Sequence, residues 1–354
     1  MTRFLKLSAI SFIFIFLTAC DFLMGTTTQK LSAPLNLVIF DDELTWSAVA
    51  DADGYIIYSD DEQLEETDDT SYVFTGERTY DQTITVKAFR STEEGKDYSA
   101  LSEEVILYSN AFSTVEIMAF DFTSQEAAIN QSYTISSQIR KVYITGNAST
   151  VYTNVSFLVE NRSKPLEIQL ENFNAIAPIN TSLIYSSGTL GDGPLITINS
   201  KGTSNSLKGG NNTVPGTNGA NGSTFGATGA DGSVGNPGYS AIHLSNVLVK
   251  GTANLTLTGG NGSNGGNGGN GHFFAIYTNF GGDGGNGGAG GYGAEFTKLY
   301  VKLENRSLTM IGGSGGEGGK AGNSVLTNTP TNGQKGKDQS GHKGQIEVIS
   351  GVVS

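Results

Sequence analysis

Few residues in this chain are of a type and spacing that could do chemistry. Its single cysteine is Cys20, which closes an apolar N-terminal stretch and offers a thiol for thioether formation. The three histidines, His243, His272 and His342, are scattered, and none stands at the spacing of a metal set or of a hydrolytic triad. Glycoside cleavage needs clustered carboxylates, yet Asp192, Asp231 and Asp283 lie in glycine runs, where an aspartate serves as a turn residue. The expectation is therefore a chain that is not an enzyme and carries no metal or other cofactor. Binding chemistry is what remains. His272, Phe273, Phe274, Tyr277 and Phe280 cluster within residues 272–280, and such rings can stack on sugars or fill a partner's pocket. The same phenylalanines could instead plug the end of a packed bundle, and both roles stay open.

The elements that would position these residues begin at the N-terminus. Arg3 and Lys6 precede an apolar run over residues 7–17 that is too short to span a bilayer. The run ends in Leu17-Thr18-Ala19-Cys20, which resembles the lipobox of bacterial lipoproteins. That resemblance implies cleavage of residues 1–19, acylation of Cys20 and a chain held by lipid on the extracytoplasmic face of the cell membrane. Acyl chains contribute roughly 0.8 kcal/mol per buried methylene, and two or more make a stable anchor. With one cysteine there is no intrachain disulfide, so the fold relies on its core.

Charge divides the remainder. The net charge of −13 argues against nucleic acid as a partner. Acidic residues crowd positions 41–104, whereas the C-terminal half is rich in Gly and Asn, which implies at least two modules. After a linker over residues 20–31, apolar residues alternate as Leu44, Trp46 and Ala48, then Tyr55 and Ile57, Tyr72 and Phe74, and Ile84, Val86 and Ala88. Short strands at this spacing indicate a β-sandwich. Trp46, Gly54-Tyr55-Ile56-Ile57-Tyr58 and Ile84-Thr85-Val86-Lys87-Ala88 resemble strands of a fibronectin type III domain over residues 32–108. The resemblance implies a spacer or binding module, with Ile84 standing where that family usually has tyrosine.

Internal repeats set the expectation for the rest. Gly238-Tyr239-Ser240-Ala241 aligns with Gly291-Tyr292-Gly293-Ala294, and without a gap Leu255 then falls on Leu308. Lys201-Gly202-Thr203-Ser204-Asn205 reads against Lys250-Gly251-Thr252-Ala253-Asn254, and Glu160-Asn161-Arg162-Ser163 against Glu304-Asn305-Arg306-Ser307. Units of this kind bury an apolar face only when stacked. They predict a β-solenoid, in the form of a parallel β-helix, with first units over 109–208 and glycine-rich units over 209–354. An irregular antiparallel stack is the alternative.

Glycine is the most unusual signal. Residues 259, 262, 265, 268 and 271 are all glycine, Gly260, Gly266 and Gly269 add a second row, and the habit returns over 281–293 and 312–322. A looser row follows at Gly333, Gly336, Gly341 and Gly344. A flexible linker has no reason to keep a period of three, and collagen would need longer runs and more proline. The period suits polyglycine II helices, which have three residues per turn and whose backbones bond to one another. The runs read as hairpins, each going out, turning and returning. This organisation, over residues 209–344, resembles the tail-tip adhesins of T-even-like phages, in which such helices hold recognition loops, and also resembles glycine-rich snow flea antifreeze proteins. Gly281-Gly282-Asp283-Gly284-Gly285-Asn286 superficially resembles the calcium nonapeptide repeat, but an aspartate in the sixth position and the following apolar residue are missing.

The expected whole is an all-β, lipid-anchored surface protein that binds a glycan or protein receptor. The alternatives are a passive spacer and an ice-binding protein, the latter suggested by the Asn row at 261, 264, 267 and 270. Replacing the thiol tests the anchor: Cys20→Ser should abolish incorporation of labelled palmitate and move the chain to the soluble fraction. Unchanged membrane association would remove the lipid from the account.

Overall fold

The computed structural model describes residues 30–191, 193–223, 227–272, 280–324 and 329–354. Cys20 and the lipobox lie outside the described residues. The chain divides into two compact units, Met1–Ala111 and Phe112–Ser354. Their described residues are all-β apart from one short 3-10 turn, Thr114–Glu116. Among the described residues no helix is long and apolar enough to cross a membrane.

In the first unit, Val38–Phe40, Glu43–Thr45 and Ser71–Val73 form a small antiparallel sheet. Gly54–Ser59, Glu62–Thr67, Gln82–Thr92, Gly95–Leu101 and Val105–Leu107 form a second. The acidic pairs Asp41-Asp42 and Asp60-Asp61 make two-residue hairpin turns. All four aspartates have φ between 49° and 68°, as two-residue turns matched to strand twist require. Both sheets contribute to one core, in which Leu44, Ile57, Ile84, Val86 and Ala88 are fully buried. Trp46 meets Tyr55 edge-on at 5.2 Å. The alternation expected through Ala48 breaks there. Ala48 is exposed and Val49 turns inward, its N–H donating to the Tyr55 hydroxyl at 2.9 Å.

The second unit is one large, entirely parallel sheet that runs round a common core, a β-solenoid-like arrangement. Each turn of chain visits three ladders in order. The first ladder stacks Ile117–Asp121, Lys141–Thr145, Leu166–Glu171, Ile196–Lys201 and Asn246–Gly251, then the middle of Ala294–Ile311 and of His342–Val353. The second runs from the start of Val151–Val159 through Asn174–Ile176, Ser204–Lys208 and Asn254–Thr258 to the end of Ala294–Ile311. The third runs from Ala128–Ile135 through the end of Val151–Val159, Ile184–Ser186 and Ile242–His243 to the starts of the last two strands. Because every pairing in this unit is parallel, the antiparallel alternative does not hold.

Period-two patterning puts Leu166, Ile168 and Leu170 on the inner side of one turn and Leu299, Val301 and Leu303 on that of a later one. The first turns fill the interior with rings. Tyr152 stacks on Phe173 (5.7 Å, 15°) and Tyr133 on Phe157 (5.5 Å, 20°). Corners between the first and second ladders use left-handed residues, Asn172 (φ 53°), Gly202 (φ 79°) and Asn305 (φ 54°). Asn172 also accepts the Thr203 N–H of the next turn at 2.7 Å through Oδ1.

The registers differ from the expected repeat. Leu255 does face Leu308, but Ile242 faces Ala294 and Val247 faces Leu299, one residue out of step with the gapless alignment. The extra residue lies in the corner around Asn305, which holds one more residue than the corner after Gly251. Lys250 faces Asn199 rather than Lys201, and Asn254 faces Ser204. Residues 160–163 lie between the third and first ladders, whereas 304–307 lie between the first and second, so those similar strings occupy different corners. The segment 242–249 is two strands, because the chain turns a corner between His243 and Asn246. Gly344 belongs to the last strand and not to an arm.

Phe157 is fully buried and packs against Phe120, Phe122, Tyr133 and Phe173. Truncation of such a side chain costs about 3–5 kcal/mol. Phe157→Ala should therefore lower the urea midpoint of the second unit by that equivalent. A change below about 1 kcal/mol would mean that the ring cluster does not anchor the solenoid.

Candidate functional site

The connection from the second ladder to the third is short in the turn that carries Asn174–Ile176 and Ile184–Ser186. In the next three turns the same corner extrudes a long hairpin arm, over residues 209–241, 259–293 and 312–341. Among the described residues the arms are joined by hydrogen bonds rather than by an apolar core. They are held by backbone hydrogen bonds, in two rows of three legs.

The outgoing leg of the middle arm shows how the period of three works. Gly259, Gly262, Gly265 and Gly268 donate their N–H groups to the outgoing leg of the third arm. Gly260, Ser263, Gly266 and Gly269 donate to the returning leg of the first. The third position is asparagine, and the N–H groups of Asn261, Asn267 and Asn270 go to Oδ1 of Asn211, Asn218 and Asn221 on the first arm, at 2.7–2.9 Å. A leg with three residues per turn thus sends one donor toward each of three neighbours. The returning leg reaches back: Gly282, Gly285, Gly288 and Gly291 donate to Gly269, Gly266, Ser263 and Gly260 of its own outgoing leg. Close approach requires glycine at these positions apart from the one held by Ser263. A Cβ on Gly266 would fall onto the Thr217 carbonyl oxygen, and one on Gly285 onto that of Ser233.

The asparagines form rungs. Oδ1 of Asn261, Asn264, Asn267 and Asn270 accepts the N–H of Ser314, Glu317, Lys320 and Asn323 on the third arm, at 2.8–3.1 Å. The asparagine row is the feature that an ice-binding face would need to repeat. On the neighbouring leg it reads Ser, Glu, Lys and Asn, so it does not repeat as a uniform amide face. Asp283 is also a rung. Its Oδ1 accepts the Thr331 N–H, and its own N–H donates to Oδ1 of Asp231. Among the described residues no three His, Cys, Asp or Glu stand close enough to hold a metal ion.

Of the aromatic tip, Phe273, Phe274 and Tyr277 lie outside the described residues. His272 and Phe280 are described, and the first arm holds both. The His272 N–H donates to the Ala227 carbonyl at 3.2 Å, and the Phe280 carbonyl accepts the Gly229 N–H at 2.9 Å. Gly222 donates to Asn270, and Gly271 to Asn323. The residues flanking the three turns are thus bonded to one another.

A second constellation, absent from the sequence-based expectations, lies at the other end of the arms. The third ladder presents one outward residue per turn, and Tyr185, His243, Glu295 and Lys343 are successive register partners. Glu295 takes His243 Nδ1 at 3.2 Å on one side and Lys343 Nζ at 2.5 Å on the other. Lys343 Nζ also lies 5.9 Å from the centre of the Tyr292 ring. Above this column the returning legs bring in Tyr239 and Tyr292, and a cleft of about 640 Å³ lies between them. The pair with His243, then that with Lys343, outweighs partial burial and lowers the Glu295 pKa from 4.5 to about 2. The Lys343 pKa is raised, chiefly by its hydrogen bond to Glu295.

The gapless alignment hid this site, because it set His243 against Phe296 rather than Glu295. The one-residue slip in register was the missing signal. No known protein family, characterised protein or solved structure matches the chain. Function is therefore argued from geometry alone.

A depressed folded-state value means that Glu295 contributes stability in full above its ordinary 4.5 and loses it as the pH falls through about 2. The carboxyl carbon of Glu295, followed by NMR, should titrate near 2, and Lys343→Met should raise that midpoint. A midpoint near 4.5 would mean that the paired column does not form in solution.

Proposed function

We propose that this chain is a non-catalytic binding protein of the cell surface, held to the membrane through lipid on Cys20 and presenting the tips of its glycine arms to a glycan or protein receptor. In chain order, a fibronectin type III-like module follows the anchor as a spacer. A parallel β-helix follows it and extrudes the arms as polyglycine II hairpins. The partners on this reading are a membrane and a surface receptor, with no role for nucleic acid or a cofactor.

One observation carries the reading: three hairpins leave the same corner of successive solenoid turns and are cross-bonded along their length. A passive spacer has no need to gather three turns at one end. Burying dozens of glycines in an ordered array is also unfavourable, since each loses roughly 0.5–1 kcal/mol relative to alanine. Such an array is expected where loops must be held far from a scaffold yet close to one another. Aromatic residues in the middle tip, with His272 and Phe280 at its stem, supply the contact surface.

The test applies the full chain in mild detergent to a glycan array and to whole cells, beside a variant with residues 272–280 replaced by Gly and Ser. Binding that is lost in the folded variant supports recognition at the tips. Absence of binding by either chain, with both folded, would leave the spacer as the better account.

A further inference from the structure

We propose that the cleft at the base of the arms is a second binding site, and that its ligand is a neutral oligosaccharide. This rests on the reading of the chain as a binding protein, but it locates a site away from the tips. A volume of about 640 Å³ suits a small organic ligand, within the roughly 300–1,000 Å³ typical of such sites. What distinguishes the cleft is the composition of its walls.

Tyr239 and Tyr292 enter the cleft from the returning legs of the first and second arms, and Tyr185 from its floor. The backbone behind Tyr239 is fixed on both sides. Its N–H donates to the Gly210 carbonyl, and its carbonyl accepts the Gly260 N–H. The main chain that carries the ring is therefore fixed, while 37 % of the residue stays exposed. An accessible ring on a fixed main chain is the partner that the C–H face of a pyranose stacks upon, and with only two side-chain torsions it loses little conformational freedom in doing so.

Amides surround the rings. Asn180 and Asn212 each use Oδ1 for a backbone N–H, while their Nδ2 groups make no hydrogen bond among the described residues. Asn236 is the reverse, donating through Nδ2 to Val214 and keeping Oδ1 unused. The walls thus present fixed donors and an acceptor, the complement of vicinal hydroxyls. Among the described residues the lining of the cleft holds no unpaired carboxylate or ammonium group. The carboxylate of Glu295 is shared by His243 and Lys343, so the column offers polar contacts without a field that would select a phosphate or a carboxylate ligand. An apolar ligand would leave the amides unpaired, which is unfavourable. A neutral, polyhydroxylated ring satisfies both walls.

The experiment uses the full chain and a panel of neutral gluco-, manno- and galacto-oligosaccharides of three to five units, read by saturation-transfer NMR and calorimetry. At least one should bind. Tyr239→Ala and Tyr292→Ala should each weaken it tenfold or more, whereas Tyr239→Phe should stay within threefold. Replacing residues 272–280 should leave this affinity unchanged. Retained affinity in both alanine variants, with unaltered circular dichroism, would overturn the cleft as the site. So would loss of saccharide binding on replacing the tip. Should no oligosaccharide bind the unaltered chain, the inference fails by itself, because recognition of cells or of a protein receptor through the tips is read in the separate cell-binding assay.

Discussion

The arms depend on one constraint: an extended backbone with no internal hydrogen bonds must find all its partners on neighbouring legs. An extended glycine leg has no internal hydrogen bonds and little apolar surface to bury. It is ordered only where the N–H groups of each turn meet acceptors on neighbouring legs, as they do on the leg that starts at Gly259. One hairpin cannot meet this condition, since two legs leave the third direction of each unfilled. Three hairpins in two rows give the inner legs neighbours on every bonded side. The solenoid below supplies the spacing, because its turns repeat at the separation of adjacent parallel strands.

Asparagine completes what glycine begins. The donor that has no backbone acceptor in reach is taken by an amide oxygen from the leg beside it, and Asn211, Asn261 and Ser314 show one such rung across all three arms. Asp231, Asp283 and Thr331 form the equivalent rung on the returning side. The sequence pattern that looked like a candidate recognition face is thus largely a device for closing the hydrogen-bond inventory. On the proposed reading, recognition is left to the tips and to the cleft at the base.

Parts of this architecture can be read directly from sequence and parts cannot, for definite reasons. Alternation at Leu166, Ile168 and Leu170 marks inward positions, and the glycine period of three marks legs that pack on three sides. Register is harder, because Asn305 in its left-handed corner absorbs one residue and shifts every pairing on the far side by one step. That single residue separates a chance neighbourhood of His243 and Phe296 from the bonded pair His243 and Glu295. The cleft is harder still. Tyr185, Tyr239, Tyr292 and Lys343 come from separate turns, and only the closed ring of three ladders brings them together. Ala48 illustrates the same limit on a small scale, since a strand pattern does not announce where the strand ends.

The rung structure has a consequence for how such arms can vary. A leg that rises about 9 Å for each three-residue turn can change length only in whole turns, because a shift of one or two residues would point every donor at the wrong neighbour. The change must also be matched on the opposite leg. The reach of the tips is therefore quantised. An insertion of paired triplets moves the tips outward by a fixed step and leaves solenoid, cleft and tip sequence as they were. Height and tip sequence can then drift independently, one counted in triplets and the other written in the few residues beyond the last glycine.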